Sequence, residues 1–201
     1  MNLLCEAGLE MQTFIHNQKW KFCFIGGIAL IRWGEIRMTR DLDISLSVDF
    51  GDEKKYIQKL LEHFRPRISD AFQFALDNRV LLLESSNKIP VDIAIAGFPF
   101  EQEMIDRGSF FLFQPECALI TCTAEDLIVL KAFASRNKDW FDIESILDKQ
   151  GLMIDLNYIK SRLLPLCELK EEPEIMEKLN QYLKTSYHDY DINAQGGQYV
   201  I

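Results

Sequence analysis

The chain has 201 residues, of which 48% are hydrophobic and 26% charged, and its formal net charge is −9. These proportions are those of an ordinary folded protein, whereas the acidic balance argues against a general nucleic-acid-binding protein, which neutralises phosphates with Lys and Arg. No segment approaches the roughly 20 apolar residues that span a membrane, and the N-terminal residues carry acids where a secretory signal carries bases. We therefore expect a cytoplasmic protein without a membrane partner.

In the first half of the chain, apolar spacing predicts alternating helices and strands. A predicted buried strand ends at Gly26-Gly27, a diglycine between that strand and a helix. Helices are predicted over residues 1–19, 28–33 and 52–64. Strands are predicted over residues 22–25, 42–48, 72–75, 79–84, 91–96, 110–113 and 118–121.

The second half of the chain has only helical patterns. A capping box of Thr123 and Asp126 opens a helix that runs to about Ala134. Further helices are predicted over residues 138–149, 155–164 and 172–184. The fold class is thus α/β, with a sheet domain at 1–121, a helical region at 122–185, and a flexible or partner-binding tail at 186–201.

The five cysteines are an odd number and are scattered through apolar segments. A disulfide framework is typical of short secreted chains with an even number of cysteines. We therefore expect all five side chains to be buried, reduced thiols.

Three aspartates on two predicted strands are the strongest candidates for a functional site. Asp41 and Asp43 lie two residues apart, so that both side chains share one face of their strand, and Asp92 stands among apolar residues at the start of another strand. Unpaired carboxylates in such surroundings are costly, and a divalent cation with oxygen ligands removes that cost. If the two strands are neighbours, the three acids form a site for Mg²⁺, or for Mn²⁺ in its place.

The segment around these acids suits a triphosphate. Gly26 and Gly27 allow a sharp turn and a close approach of the backbone at the start of a helix. Between Lys19 and Arg40, five basic residues face one acid, Glu35. Each feature alone is more typical of an ordinary turn, strand edge or solvated loop, but their joint order favours a nucleotide site. The donors predicted to reach the phosphates are Arg37, Thr39 and Arg40.

The segment from Phe24 to Ile44 resembles the signature of DNA polymerase β-like nucleotidyltransferases, and especially their AbiEii/AbiGii-type toxin branch. In that branch Gly-Gly-x-Ala-Leu is followed by Gly-x-x-Arg-x-Thr-x-Asp-x-Asp-Ile. The matching residues here are Gly26, Gly27, Ala29, Leu30, Gly34, Arg37, Thr39, Asp41, Asp43 and Ile44. Val91-Asp92-Ile93 is similar to the segment that supplies the third metal-binding acid. The resemblance implies a mixed sheet flanked by helices, followed by helices.

A second block, residues 123–143, is also similar to this branch. The resemblance places Lys131 near the nucleotide phosphates and matches Arg136, Lys138, Asp139 and Asp142 to a downstream motif. From its helical position alone, Lys131 either extends its ammonium to solvent or meets an anion. A solvated or ion-paired surface explains Asp139 and Asp142 equally well.

The resemblance implies transfer of a nucleoside monophosphate from an NTP, with Mg²⁺, to a hydroxyl acceptor. Asp41, Asp43 and Asp92 would be the catalytic and metal-binding residues. An RNA end such as that of tRNA, a protein side chain and a small molecule all stay open as acceptors. The branch further implies a toxin with an antitoxin protein as partner. The alternative is a nucleotide-binding or interaction module on the same fold without turnover.

Overall fold

The computed structural model describes residues 3–35 and 38–196. They form seven strands and nine α-helices within those ranges, with one short 3-10 helix at Gly151–Met153. The strands are β1 Phe22–Ile25, β2 Leu42–Ser47, β3 Arg65–Pro66, β4 Val80–Glu84, β5 Pro90–Ala96, β6 Ser109–Gln114 and β7 Cys117–Thr121. The helices are α1 Leu3–Asn17, α2 Gly26–Trp33, α3 Glu53–Leu61, α4 Ala71–Asn78, α5 Pro99–Asp106, α6 Ala124–Ala134, α7 Asn137–Gln150, α8 Leu156–Lys170 and α9 Glu174–Gly196.

The strands form a single sheet in the order β3-β4-β5-β2-β1-β7-β6. Strand β2 is parallel to β5, and β1 is parallel to β7, whereas the other neighbours are antiparallel. This confirms the mixed sheet that the resemblance implies. Within the described part of the chain, no helix is long and apolar enough to cross a membrane.

Two central strands determine which side chains enter the core and which face the other way. Alternate residues of β2 and β5 are buried in the main hydrophobic cluster, and α1 contributes Met11 and Ile15 to the same cluster. Because successive side chains of a strand point to opposite faces, the residues between the buried ones face away from this cluster. The buried strand residues are Leu42, Ile44, Leu46, Val91, Ile93 and Ile95.

The chain divides into two compact units. The first comprises residues 1–32 and 37–123 and contains the whole sheet, and the second comprises residues 33–36 and 124–201. In the second unit, helices α6 to α9 pack against one another, and the buried ring of Trp140 stacks on Tyr182 at 5.2 Å between centroids. The short segment after α2 is attached to α7, because Gln150 and Lys149 donate hydrogen bonds to the carbonyls of Trp33 and Gly34.

The prediction of a strand at residues 72–75 is wrong, because these residues lie in helix α4. Ala71 and Ala75 are four residues apart and both buried, which is the helical spacing, and the sequence reading had taken a short apolar run for a strand. The predictions also omitted β3 and α5. The N-terminus of α5 is capped by Glu101, whose carboxylate accepts hydrogen bonds from the amides of Gly97 and Phe98.

Two of the C-terminal helices extend beyond their predicted ends. Helix α8 continues through Pro165 to Lys170, although the predicted helix ended at residue 164. Helix α9 reaches Gly196 and so includes most of the segment predicted to be a flexible tail. Residues 197–201 of that tail lie outside the described residues.

The prediction that all five cysteines are reduced is also wrong. Cys5 of α1 and Cys117 of β7 are joined in a disulfide, with their Cα atoms 6.0 Å apart. They are separated by 112 residues in sequence, and only the packing of α1 against β7 makes them neighbours. Cys23, Cys122 and Cys167 are buried outside this disulfide.

Candidate active site

Asp43 and Asp92 face each other across the two central parallel strands. The register of β2 and β5 pairs Asp43 directly with Asp92, between the pairs Leu42–Val91 and Ile44–Ile93. Neighbouring strands are about 4.8 Å apart, and directly paired residues point to the same face. The two carboxylates therefore lie side by side, on the face opposite the buried apolar residues.

Asp41 lies two residues before Asp43, immediately ahead of β2, and its charge acts on Asp92. Burial raises the pKa of Asp92, the guanidinium of Arg67 opposes this, and the negative charge of Asp41 raises the pKa further. The hydroxyl of Thr39 donates a hydrogen bond of 3.0 Å to Oδ1 of Asp41 and so holds its carboxylate. Thr39, predicted to contact phosphates, thus has a structural partner in this loop.

The diglycine bend leaves space that the side chains of the site occupy. Gly26 has φ = +57°, and a Cβ added to it would lie 2.6 Å from Cγ and 2.8 Å from Cβ of Asp43. A Cβ on Gly27 would lie 2.7 Å from Cβ of Thr39. All three distances are shorter than real Cβ contacts, so a side chain at either position would force Asp43 or Thr39 to shift. The backbone at the start of α2 therefore lies directly against Asp43.

Arg40 and Arg37 are the other two residues of this segment that the sequence predicts to contact the phosphates. Arg40 is exposed to solvent immediately before Asp41. Arg37 lies outside the described residues.

Arg67 is a residue of the site that the sequence analysis missed. It follows β3 and forms an ion pair through Nη2 with Oδ1 of Asp92. The pair is half-buried, with 30% of the Arg67 side chain and 36% of the Asp92 side chain exposed. Its only sequence signal is the basic Arg-Pro-Arg segment, which no apolar pattern connects with Asp92.

The three acids share one end of two strands but are not gathered around one point. Among residues 3–35 and 38–196, no three His, Cys, Asp or Glu side chains are grouped closely enough to hold a metal ion. The donor chemistry nevertheless suits Mg²⁺, because carboxylate oxygens are its preferred protein ligands and the mutual repulsion of Asp41 and Asp92 would be relieved by a cation.

The second block of predicted site residues forms a buried ionic cluster in the second unit. Nζ of Lys131 lies 2.5 Å from Oδ2 of Asp142 and 3.8 Å from Oδ1 of Asp139. Arg136 donates from Nε and Nη2 to both oxygens of Asp139, at 2.6 and 3.0 Å. Lys131, Asp139 and Asp142 are all buried. Of the two alternatives for Lys131, the structure shows the anion, and the anions are carboxylates of its own unit.

The carboxylate of Asp139 is stabilised by its cationic neighbours. Burial alone would raise the pKa of Asp139, but the hydrogen bonds and charge of Arg136, together with the charge of Lys131, outweigh burial and hold that pKa below its usual value. A buried acid that stays ionised in this way is characteristic of a structural ion pair as well as of a functional site.

With this geometry established, the chain can be compared with known proteins. Residues 15–185 match the family described as nucleotidyl transferase AbiEii toxin, Type IV TA system. The chain belongs to this family. Family membership makes the protein a nucleotidyltransferase that transfers nucleoside monophosphates from NTP substrates, and it favours an enzyme over a module without turnover. No curated protein sequence matches the chain.

Two solved structures show the same fold. One is an antigenic nucleotidyltransferase-like protein from Paracoccidioides brasiliensis, with 14% identity, a TM-score of 0.50, and coverage of 85% of this chain and 90% of that chain. The other is ANT(2″)-Ia in complex with adenylyl-2″-tobramycin, with 11% identity, a TM-score of 0.55, and coverage of 84% of this chain and 99% of that chain. The polymerase β-like fold that the resemblance implies is thereby confirmed.

The diglycine bend yields a first prediction. Gly26→Ala should weaken Mn²⁺ binding at least about tenfold, because the left-handed backbone is strained by roughly 1–2 kcal/mol and the new Cβ displaces Asp43. The measurement is Mn²⁺ titration followed by electron paramagnetic resonance. Gly51→Ala is the matched control, since Gly51 has φ = +100° with nothing within 4 Å of an added Cβ. Equal Mn²⁺ affinities for both variants would contradict the role of the bend.

The ionic cluster yields a second prediction. Asp139→Asn should lower the free energy of unfolding by about 3 kcal/mol at pH 7, because Arg136 loses two charge-assisted hydrogen bonds and Lys131 loses one of its two carboxylate partners. Since the folded pKa of Asp139 is lowered, its stabilisation is present above the unfolded pKa of about 3.9 and disappears as the pH falls through the folded value.

The measurement is urea unfolding between pH 7 and pH 3, and the difference between the parent protein and Asp139→Asn should shrink below about pH 4. The control is Glu144→Gln, which removes an exposed acid from the same helix. A difference that stays constant over this pH range would show that Asp139 contributes through packing and not through its charge.

Proposed function

We propose that the first unit carries the catalytic site and that its activity depends on Mg²⁺, or on Mn²⁺ in its place. The observation that supports this most directly is the register that pairs Asp43 with Asp92 beside the diglycine bend. Asp41, Asp43 and Asp92 would hold the metal ion, which when bound would neutralise the charge that develops on the phosphates during transfer.

Each residue of the site has a distinct proposed role. The backbone of Gly26 and Gly27 would offer amides at the start of α2, where Gly26 lies against Asp43 and Gly27 against Thr39. Thr39 orients Asp41 by its hydrogen bond, and Arg40 supplies a cation at the rim of the site. Asp92, which is paired with Asp43 in the sheet, would either accept the proton of the attacking hydroxyl or leave that role to a metal-bound site and act only as a ligand.

The assignment of Arg37 and Lys131 to the nucleotide phosphates belongs to the same proposal and rests on the family resemblance. Lys131 already has two carboxylate partners in the second unit. In such a role, the ammonium would contact the phosphates either in place of Asp139 and Asp142 or in addition to them.

Three classes of acceptor stay open: an RNA end such as that of tRNA, a protein side chain, and a small molecule. ANT(2″)-Ia, whose structure contains adenylyl-2″-tobramycin, is a fold neighbour that supports the small-molecule class. The toxin–antitoxin description of the family supports a toxin with an antitoxin as partner.

The proposed metal site gives a third prediction. Asp43→Asn should reduce the transfer of label from an α-labelled NTP by at least about 100-fold without changing the thermal unfolding temperature, because one ligand loses its charge while its shape stays the same. The assay combines each α-labelled NTP with Mg²⁺ and a total cell extract, and nuclease or protease treatment then shows which fraction carries the label. Asp49→Asn, an exposed acid beyond the other end of β2, is the control. Full activity of Asp43→Asn would remove Asp43 from the site.

The proposed toxin role gives a fourth prediction. Induced expression of the parent protein should slow growth of a bacterial host, whereas Asp43→Asn at an equal protein level should not. Growth curves with immunoblots of protein abundance provide the measurement. Equal growth inhibition by both proteins would separate toxicity from nucleotide transfer.

A further inference from the structure

Both partners of the ion pair between Arg67 and Asp92 have backbones that are hydrogen-bonded to strand β4. The amide of Arg67 donates a hydrogen bond of 3.0 Å to the carbonyl of Leu82, and Leu82 is the residue of β4 that pairs with Asp92 in the sheet. The Arg67 backbone is therefore fixed beside β4, and its side chain extends across β4 to reach the carboxylate of Asp92 on β5. An ion pair between a fixed backbone and a half-buried acid differs from the mobile pairs of an exposed surface, which contribute little.

The contact also places a cation beside an acid that needs one. Asp92 is half-buried and feels the negative charge of Asp41, two conditions that disfavour a carboxylate unless a cation is near. Arg67 supplies that cation. The oxygen that contacts Arg67 is part of the carboxylate that a divalent ion would need, and the three acids are not grouped around one point among the described residues.

We propose that Arg67 is a positioning residue that occupies Asp92 in the metal-free enzyme and is exchanged for the divalent cation when the site is loaded. This inference rests on the proposed function, because it assumes that Asp92 is a metal ligand. Arg67 already contacts Oδ1 of Asp92, so a divalent ion that takes this oxygen would displace the guanidinium. The anionic triphosphate gives the released guanidinium a new partner, and NTP and metal should therefore bind cooperatively.

The test compares Mn²⁺ binding to the full-length parent protein and to Arg67→Gln, with and without a non-hydrolysable NTP analogue. Electron paramagnetic resonance reports free Mn²⁺ directly, without any need for turnover. Without nucleotide, Arg67→Gln should bind Mn²⁺ about tenfold more tightly than the parent, because a positive charge close to the ion and a competitor for its ligand are both removed. The nucleotide analogue should increase the Mn²⁺ affinity of the parent more than that of Arg67→Gln.

Two variants separate contact from charge. Arg65→Gln removes the same charge two residues earlier, from a side chain that is 78% exposed and lies 4.0 Å from Glu84, and its Mn²⁺ affinity should equal that of the parent. Arg67→Lys keeps the charge but loses the planar guanidinium, and its affinity should lie between those of the parent and Arg67→Gln. Thermal unfolding of each variant verifies that the protein is folded.

The possible results distinguish failure of the proposed exchange from failure of the proposed metal site. If Arg67→Gln binds Mn²⁺ no more tightly than the parent while Asp43→Asn binds it more weakly, the exchange is overturned and the proposed metal site stands. If Arg65→Gln tightens Mn²⁺ binding as much as Arg67→Gln, a general charge effect replaces the exchange. If none of the folded proteins binds Mn²⁺, even with the nucleotide analogue, the proposed metal dependence fails together with the exchange.

Discussion

The parallel pairing of β2 with β5 is the constraint on which the site depends. Its register places Asp43 opposite Asp92 and, on the other face, packs Leu42 and Ile44 beside Val91 and Ile93. A shift of one residue in either strand would move an aspartate into the core and an apolar side chain to the site. The hydrophobic effect that stabilises the sheet thus also determines where the acids meet, so folding and site formation are one event.

Negative charges that are close together and half-buried are unfavourable unless a hydrogen-bond donor or a cation lies beside them, and neighbouring residues of the chain supply both. Thr39 holds Asp41 by a hydrogen bond, and Arg67 neutralises Asp92 from the neighbouring edge of the sheet. The absence of a side chain at Gly26 allows the backbone to lie against Asp43. These contacts hold Asp41, Asp43 and Asp92 in place, and the contact between Arg67 and Asp92 is the one that a metal ion at Asp92 would rearrange.

The second unit shows that a motif expected at a nucleotide site also has a structural explanation. The resemblance places Lys131 near the phosphates, yet in the structure it lies buried against Asp142 and Asp139, which Arg136 also contacts. Loss of one member would remove an ionic partner from a buried charge, which is more costly than loss of an exposed pair. Stability alone would therefore preserve this cluster, and its presence is no proof of a nucleotide contact.

Local patterns in the sequence were sufficient to predict the strands that carry the acids, the diglycine turn and most helices. The reason is that apolar periodicity and the backbone conformations open to glycine are determined by a few consecutive residues. Local patterns were insufficient for residues 72–75, where four residues cannot distinguish a strand from a turn of helix. Pairing between distant segments had no local signal. The disulfide of Cys5 with Cys117 and the contact of Arg67 with Asp92 join residues 112 and 25 positions apart, and only the tertiary packing of the strands and helices brought them together.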